Sequence, residues 1–104
     1  MGSFLVSAAQ TGRCEDIKTL VNWKADIDFK GRYDNTPLHR AISNWKENAF
    51  NILISLGGDV NTKDKFGWNP LMLAIRYTKD PVRTNFVRSL LKANADANVK
   101  NQHG

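Results

Sequence analysis

The chain has 104 residues, 41% apolar and 24% charged, with fifteen Lys and Arg against ten Asp and Glu and a formal net charge of +5. That length suits one domain, and no apolar run approaches the roughly 18 residues of a membrane-crossing helix, so membrane insertion is not expected. The single cysteine, Cys14, excludes an internal disulfide and predicts an intracellular setting, cytoplasmic or nuclear; no leader pattern opens the chain.

From Phe4 to Asp28 the spacing predicts two short helices. The first carries the small pair Ala8 and Ala9, and the second carries Cys14, Ile17, Leu20 and Val21 at helical intervals. Cys14 falls on that apolar face and is expected to be a buried, structural thiol. Trp23 reads as packing. Lys24 stands where later segments have Gly57 and Asn94, residues that suit a left-handed helix cap. Forcing Lys24 into that conformation would cost roughly 1 kcal/mol, so the first segment is predicted to end in a different turn.

The next helix starts at Thr36-Pro37. The Thr hydroxyl can cap a free backbone N–H, and proline at the first helical position loses no hydrogen bond it needed. Leu38, Ala41 and Ile42 form one buried stripe, and a second helix follows with Ala49, Phe50, Ile52 and Leu53. Trp45, between the two, either protrudes or caps the groove between helices. Asn69-Pro70 repeats the starting device, with Leu71, Ala74 and Ile75 as the stripe and Val82, Phe86, Val87, Leu90 and Leu91 on the helix after it.

These segments are copies. TPLHRAI at 36–42 recurs as NPLMLAI at 69–75, with Pro37 and Pro70 33 residues apart, and GGDVN at 57–61 recurs as NADAN at 94–98. Phe4 stands at the proline position of an earlier copy, with Asp26 again 22 residues on. The pattern resembles the ankyrin repeat, whose motif is a turn ending in Gly-x-Thr-Pro-Leu-His, then Ala-Ala, a second helix and Gly-Ala-Asp-Val-Asn. The resemblance implies an all-α solenoid of about three helix-turn-helix repeats with hairpin-like turns. The units are about 4–28, 29–61 and 62–98, the last with a four-residue insertion within RYTKDPVRTN at 76–85 that would lengthen a loop bordering the inner surface. Residues 99–104, VKNQHG, read as the start of a truncated fourth repeat, so the natural protein is expected to continue. Leu90 and Leu91 would then lie on an uncapped apolar end that invites self-association.

In ankyrin proteins the partner usually meets the turn tips and the inner face of the first helices. Carried onto this sequence, the tips are Arg32, Tyr33 and Asn35, then Lys65, Phe66 and Trp68, then Gln102 and His103. The first helices add Gln10 and Thr11, then Arg40, Ser43 and Asn44, then Arg76 and Tyr77. Tyr33, Phe66, Trp68, Arg76 and Tyr77 are the expected anchors, because Trp, Tyr and Arg bring large contact area with few rotatable bonds. Phe66 and Trp68 could instead fold back over the neighbouring turn. The expected function is non-catalytic binding of a protein partner with an acidic surface.

Other chemistry has little support. His39 occupies the motif histidine position and is expected to bond backbone through both ring nitrogens. Two histidines and one cysteine give no zinc-ligand spacing, no glycine-rich loop cradles a phosphate, and no nucleophilic triad is apparent, so neither metal nor cofactor is expected. Asp26, Asp59 and Asp96 occupy equivalent turns and should bond backbone N–H groups. Asn61 and Asn98, each eight residues after a leucine, resemble the asparagines that an oxygen-dependent hydroxylase modifies in some ankyrin domains. The basic charge is compatible with a nucleic-acid-binding or phosphate-recognising module. Its placement argues against simple nucleic-acid binding: Arg32, Arg40, Lys65 and Arg76 fall on the inner strip, while Lys18, Lys46, Arg83, Arg88 and Lys92 scatter elsewhere. A spacer or targeting arm of a larger protein is the other alternative.

Overall fold

The structure, a computed structural model, describes residues 2–93. Over that range the chain forms six α-helices: α1 (Gly2–Thr11), α2 (Cys14–Asn22), α3 (Pro37–Ser43), α4 (Glu47–Ser55), α5 (Pro70–Tyr77) and α6 (Val82–Lys92). Each odd-numbered helix packs on the even-numbered one that follows it. The hairpins stack so that α1, α3 and α5 make one layer and α2, α4 and α6 the other. The core lies between the layers, where Leu5, Ala9, Ile17, Ile42, Leu53, Ala74 and Leu90 are fully buried. Phe50 and Phe86 meet edge to face there, with ring centroids 4.7 Å apart; such a pair contributes about 1 kcal/mol beyond its area.

The helix starts follow the expected chemistry. The Thr36 hydroxyl accepts the His39 N–H at 3.3 Å, while the Thr36 N–H donates to His39 Nδ1 at 3.1 Å, a reciprocal cap. Asn69 Oδ1 accepts the Met72 N–H at 2.8 Å. Turns are stitched between units as well as within them. Asp26 and Asp59 each accept a backbone N–H two residues on, at 2.9 and 2.8 Å, and Asp28 Oδ1 accepts the Asp59 N–H of the next unit at 2.8 Å. Asp96 lies outside the described residues.

Several expectations need correction. Lys24 does enter the left-handed region, at φ 71°. The Ala25 N–H reaches Leu20 C=O at 2.9 Å just as Gly58 N–H reaches Leu53 C=O at 2.9 Å, so the two units end in the same turn. Hydrogen bonding of the last helical carbonyls and burial of Ala25 outweigh about 1 kcal/mol of backbone strain. Cys14 is only half-buried against the core edge. Ile75 is 53% exposed although Ile42, its counterpart, is 0% exposed. Among the described residues α3 is flanked by α1 and α5, whereas α5 packs within its layer on α3 alone. For the same reason Leu91 is exposed, while Leu90 points inward and is fully buried.

The additional residues of the third unit do not chiefly lengthen a loop. Relative to α3 and α4, α5 is longer by one residue (8 against 7) and α6 by two (11 against 9). The connection grows only from three residues (44–46) to four (78–81).

Candidate partner-binding strip

Two aromatic pairs form the centre of the strip. The first bridges successive turn tips. Tyr33 and Phe66, both exposed, bring their rings to a centroid distance of 6.0 Å with 34° between planes. Their backbones are coupled too, since the Lys65 N–H donates to Tyr33 C=O at 2.8 Å. Tyr33 and Asp34 hold positive φ values of 58° and 59°, the geometry of a tight tip.

The second pair joins a tip to a helix end. Trp68 and Tyr77 have ring centroids 6.2 Å apart. Trp68 is half-buried and packs against the core, while Tyr77 is exposed. Trp68 thus combines local packing with an open edge. Asp64 organises this tip: its Oδ1 accepts the N–H groups of both Phe66 and Trp68 at 2.9 Å. Sequence reasoning passed over Asp64, although an Asp two residues before the aromatic is an Asx-turn signal.

Repeat 2 holds both members of this pair. His39 Nε2 lies 2.9 Å from Trp68 C=O. Thr36 N–H can only donate and Trp68 C=O can only accept, so His39 carries its proton on Nε2 and accepts through Nδ1. Burial lowers the His39 pKa below its ordinary 6.5, against the opposing pull of the Trp68 carbonyl and Asp64. At the other end of α3, Trp45 Nε1–H donates to Tyr77 C=O at 3.0 Å. Trp45 is 42% exposed while its indole reaches across to the end of α5, so it shares features of both readings.

The remaining strip residues divide by what they already bond. Asn35 donates its side-chain N–H to Arg32 C=O at 3.3 Å, and Asn44 donates to Arg40 C=O at 2.8 Å, both local turn supports. Ser43, Arg32, Lys65, Arg76, Gln10 and Thr11 are exposed. Arg40 is half-buried, and its Nε–H makes no hydrogen bond among the described residues. The ion pairs found there, Arg13 with Asp16 and Lys18 with Glu15, involve none of the strip cations. Asn61 is exposed and its backbone N–H is held by Asp59; Gln102, His103 and Asn98 lie outside the described residues.

Paired helices stacked through capped Thr-Pro and Asn-Pro starts, with tips bridged at repeat spacing, match a known pattern over nearly the whole chain. A family model described as ankyrin repeats (3 copies) covers residues 5–101. The chain belongs to the ankyrin-repeat family. This ankyrin stack is 41% identical over 78 residues to the human "SH3 and multiple ankyrin repeat domains protein 1", covering 74% of the chain. It is 31% identical over 98 residues to the Xenopus laevis "Neurogenic locus notch homolog protein 1", covering 93%. It is 30% identical over 100 residues to the Caenorhabditis elegans "Ankyrin repeat and KH domain-containing protein mask-1", covering 96%. In each case the aligned region is 4% of the relative's length. Ankyrin repeats are generally protein–protein interaction modules and typically non-enzymatic. Among the described residues no helix of this ankyrin stack is long and apolar enough to cross a membrane.

Proposed function

We propose that this ankyrin stack binds an acidic segment of a partner protein along the strip from the turn tips to the ends of α3 and α5. The Tyr33–Phe66 and Trp68–Tyr77 pairs are the apolar anchors. Arg32, Arg40, Lys65 and Arg76 supply the charge, with Ser43 and the turn amides of Asn35 and Asn44 at the edge. The observation that carries the reading is the continuity of the two ring pairs, 6.0 and 6.2 Å apart internally and joined through Phe66-Gly67-Trp68, beside cations that form no ion pair among the described residues. Rigid repeats hold these groups in place, so little ordering cost accompanies binding. The same reading puts the module in the cytoplasm or nucleus, where the lone Cys14 stays reduced.

The test is an affinity pull-down from native lysate with the wild-type segment and a Trp68→Ala/Tyr77→Ala double variant. The variant should stay folded and bind the captured partner at least tenfold more weakly, about 1.4 kcal/mol. Equal capture by a folded double variant removes the strip from consideration. Titration with unrelated oligonucleotides at two salt concentrations addresses the nucleic-acid alternative: binding that falls steeply with salt would favour it over a protein partner.

A further inference from the structure

A row of equivalent positions crosses the inner layer: Gln10 in α1, Ser43 in α3 and Arg76 in α5, all exposed. Arg40 lies one turn before Ser43, at the i, i+3 spacing that makes neighbours on a helix surface. The three helices of that layer contain no Asp or Glu, so nothing acidic within them competes for either arginine. Neither arginine forms an ion pair among the described residues, and the Nε–H of Arg40 makes no hydrogen bond there.

Ser43 differs from most hydroxyls of the fold. Thr11, Thr19, Ser55 and Thr78 each turn the hydroxyl back to a carbonyl three or four residues earlier, and Thr36 caps α3. Ser43 makes no such bond among the described residues. It stands open on the strip with an arginine three residues before it, the spacing that arginine-directed serine kinases read; Ser7, equally open, has Phe4 at that spacing. Reading in extended form requires the last turn of α3 to open. That helix has only seven residues, and Trp45, which closes its turn, holds a left-handed φ of 60° that opening would relieve.

A phosphate on Ser43 meets two opposing influences. The carbonyl end of α3 disfavours added negative charge. Arg40 beside it, and Arg76 across the roughly 10 Å between stacked helices, favour it through charge-assisted hydrogen bonds. The phosphate is therefore held by engaging the same two cations that the strip offers to an acidic partner.

We propose, resting on that reading of the strip, that Ser43 is a phosphorylation site whose phosphate occupies Arg40 and Arg76 and shuts the strip to acidic segments. The donor is a nucleoside triphosphate brought by a protein kinase. The bond from Ser43 Oγ to the γ-phosphorus forms and the bond from that phosphorus to the β–γ bridging oxygen breaks. The hydroxyl proton passes to the kinase's base, and the nucleoside diphosphate leaves. The modification brings about two negative charges to a layer that otherwise carries none.

Three measurements on the full chain test this. Incubation with ATP and the cAMP-dependent protein kinase should add phosphate at Ser43, located by tandem mass spectrometry and absent from Ser43→Ala. No phosphate at Ser43 overturns the acceptor assignment. With phosphoserine installed genetically at position 43, its second ionisation, about pKa 6 when free, is followed by phosphorus NMR. It should lie at least about half a unit lower than for the same modification in Arg40→Ala/Arg76→Ala. Equal values overturn the pairing, and Arg40→Gln/Arg76→Gln gives the same comparison if alanine perturbs folding. A fluorescein-labelled peptide of alternating glutamate and leucine should bind the unmodified chain at least about tenfold more tightly than the phosphoserine form, by fluorescence anisotropy. Equal binding overturns the gating and leaves the reading of the strip standing. No binding to the unmodified chain strikes the strip and the gating together, while the titration still decides the pairing.

Discussion

Trp45 donates its indole N–H to the carbonyl of Tyr77 at 3.0 Å, tying the C-terminal end of α3 to that of α5. It does so from a left-handed backbone, φ 60°, at the position where the first unit has Gly12 at φ 76°. Both turns close the same way, Arg13 N–H on Ala8 C=O at 2.9 Å and Lys46 N–H on Ala41 C=O at 2.8 Å. A tryptophan here accepts strain that glycine would avoid, and the indole hydrogen bond offsets it.

Replacing Trp45 by Phe keeps the bulk and the strain but removes the donor. The variant is expected to be less stable by about 1 kcal/mol. Urea unfolding followed by circular dichroism measures this, and a midpoint equal to wild type would show that the bond contributes nothing.

Lys24 offers the opposite experiment, because its left-handed conformation, φ 71°, comes with no long-range side-chain bond among the described residues. Lys24→Gly relieves about 1–2 kcal/mol of steric strain and returns part of it through the greater entropy of the unfolded chain. A net gain of about 0.5 kcal/mol is expected in thermal unfolding, with Lys24→Ala, which keeps the strain, as the control.

His39 makes stability depend on pH. Its folded-state pKa lies below the ordinary 6.5 because burial disfavours the imidazolium. Above 6.5 the ring is neutral whether the chain is folded or not, and the contribution is complete. As pH falls below that value the unfolded state takes up the proton first, so stability declines and continues to decline until the folded-state pKa is passed. Denaturant unfolding at about pH 7.5 and about pH 5.5 should show this loss in wild type and a smaller one in His39→Gln; identical slopes would exclude His39 as the source.

Arg40 and Arg76 should govern how binding responds to salt. Alanine at both is expected to weaken partner capture and to flatten its dependence on ionic strength, since exposed charge contacts are screened within about 10 Å at 0.1 M salt. Capture that keeps the wild-type salt dependence would place the charge recognition elsewhere.

Local chemistry made much of this fold readable. Pro37 and Pro70 after Thr and Asn fix helix starts through backbone restriction and capping, and their 33-residue spacing fixes the repeat. Repeat register likewise assigns each residue of the proposed strip to a tip or a first helix. What register could not supply was which side chains meet. Asp64 gathering the Phe66 and Trp68 amides is a choice among turn geometries, and His39 holding the Trp68 carbonyl and Trp45 that of Tyr77 depend on how one unit sits on the next.

Sequence alone determined the helices, their order and their apolar stripes, because caps, prolines and 3.6-residue periodicity act within a few residues. Only the stacked structure decided that Ile75 and Leu91 face outward while Ile42 and Leu90 are enclosed, and that Lys24 turns left-handed. Burial and the closing of a turn depend on neighbours 30 or so residues away, and a periodic pattern carries the same stripe whether or not a neighbour covers it.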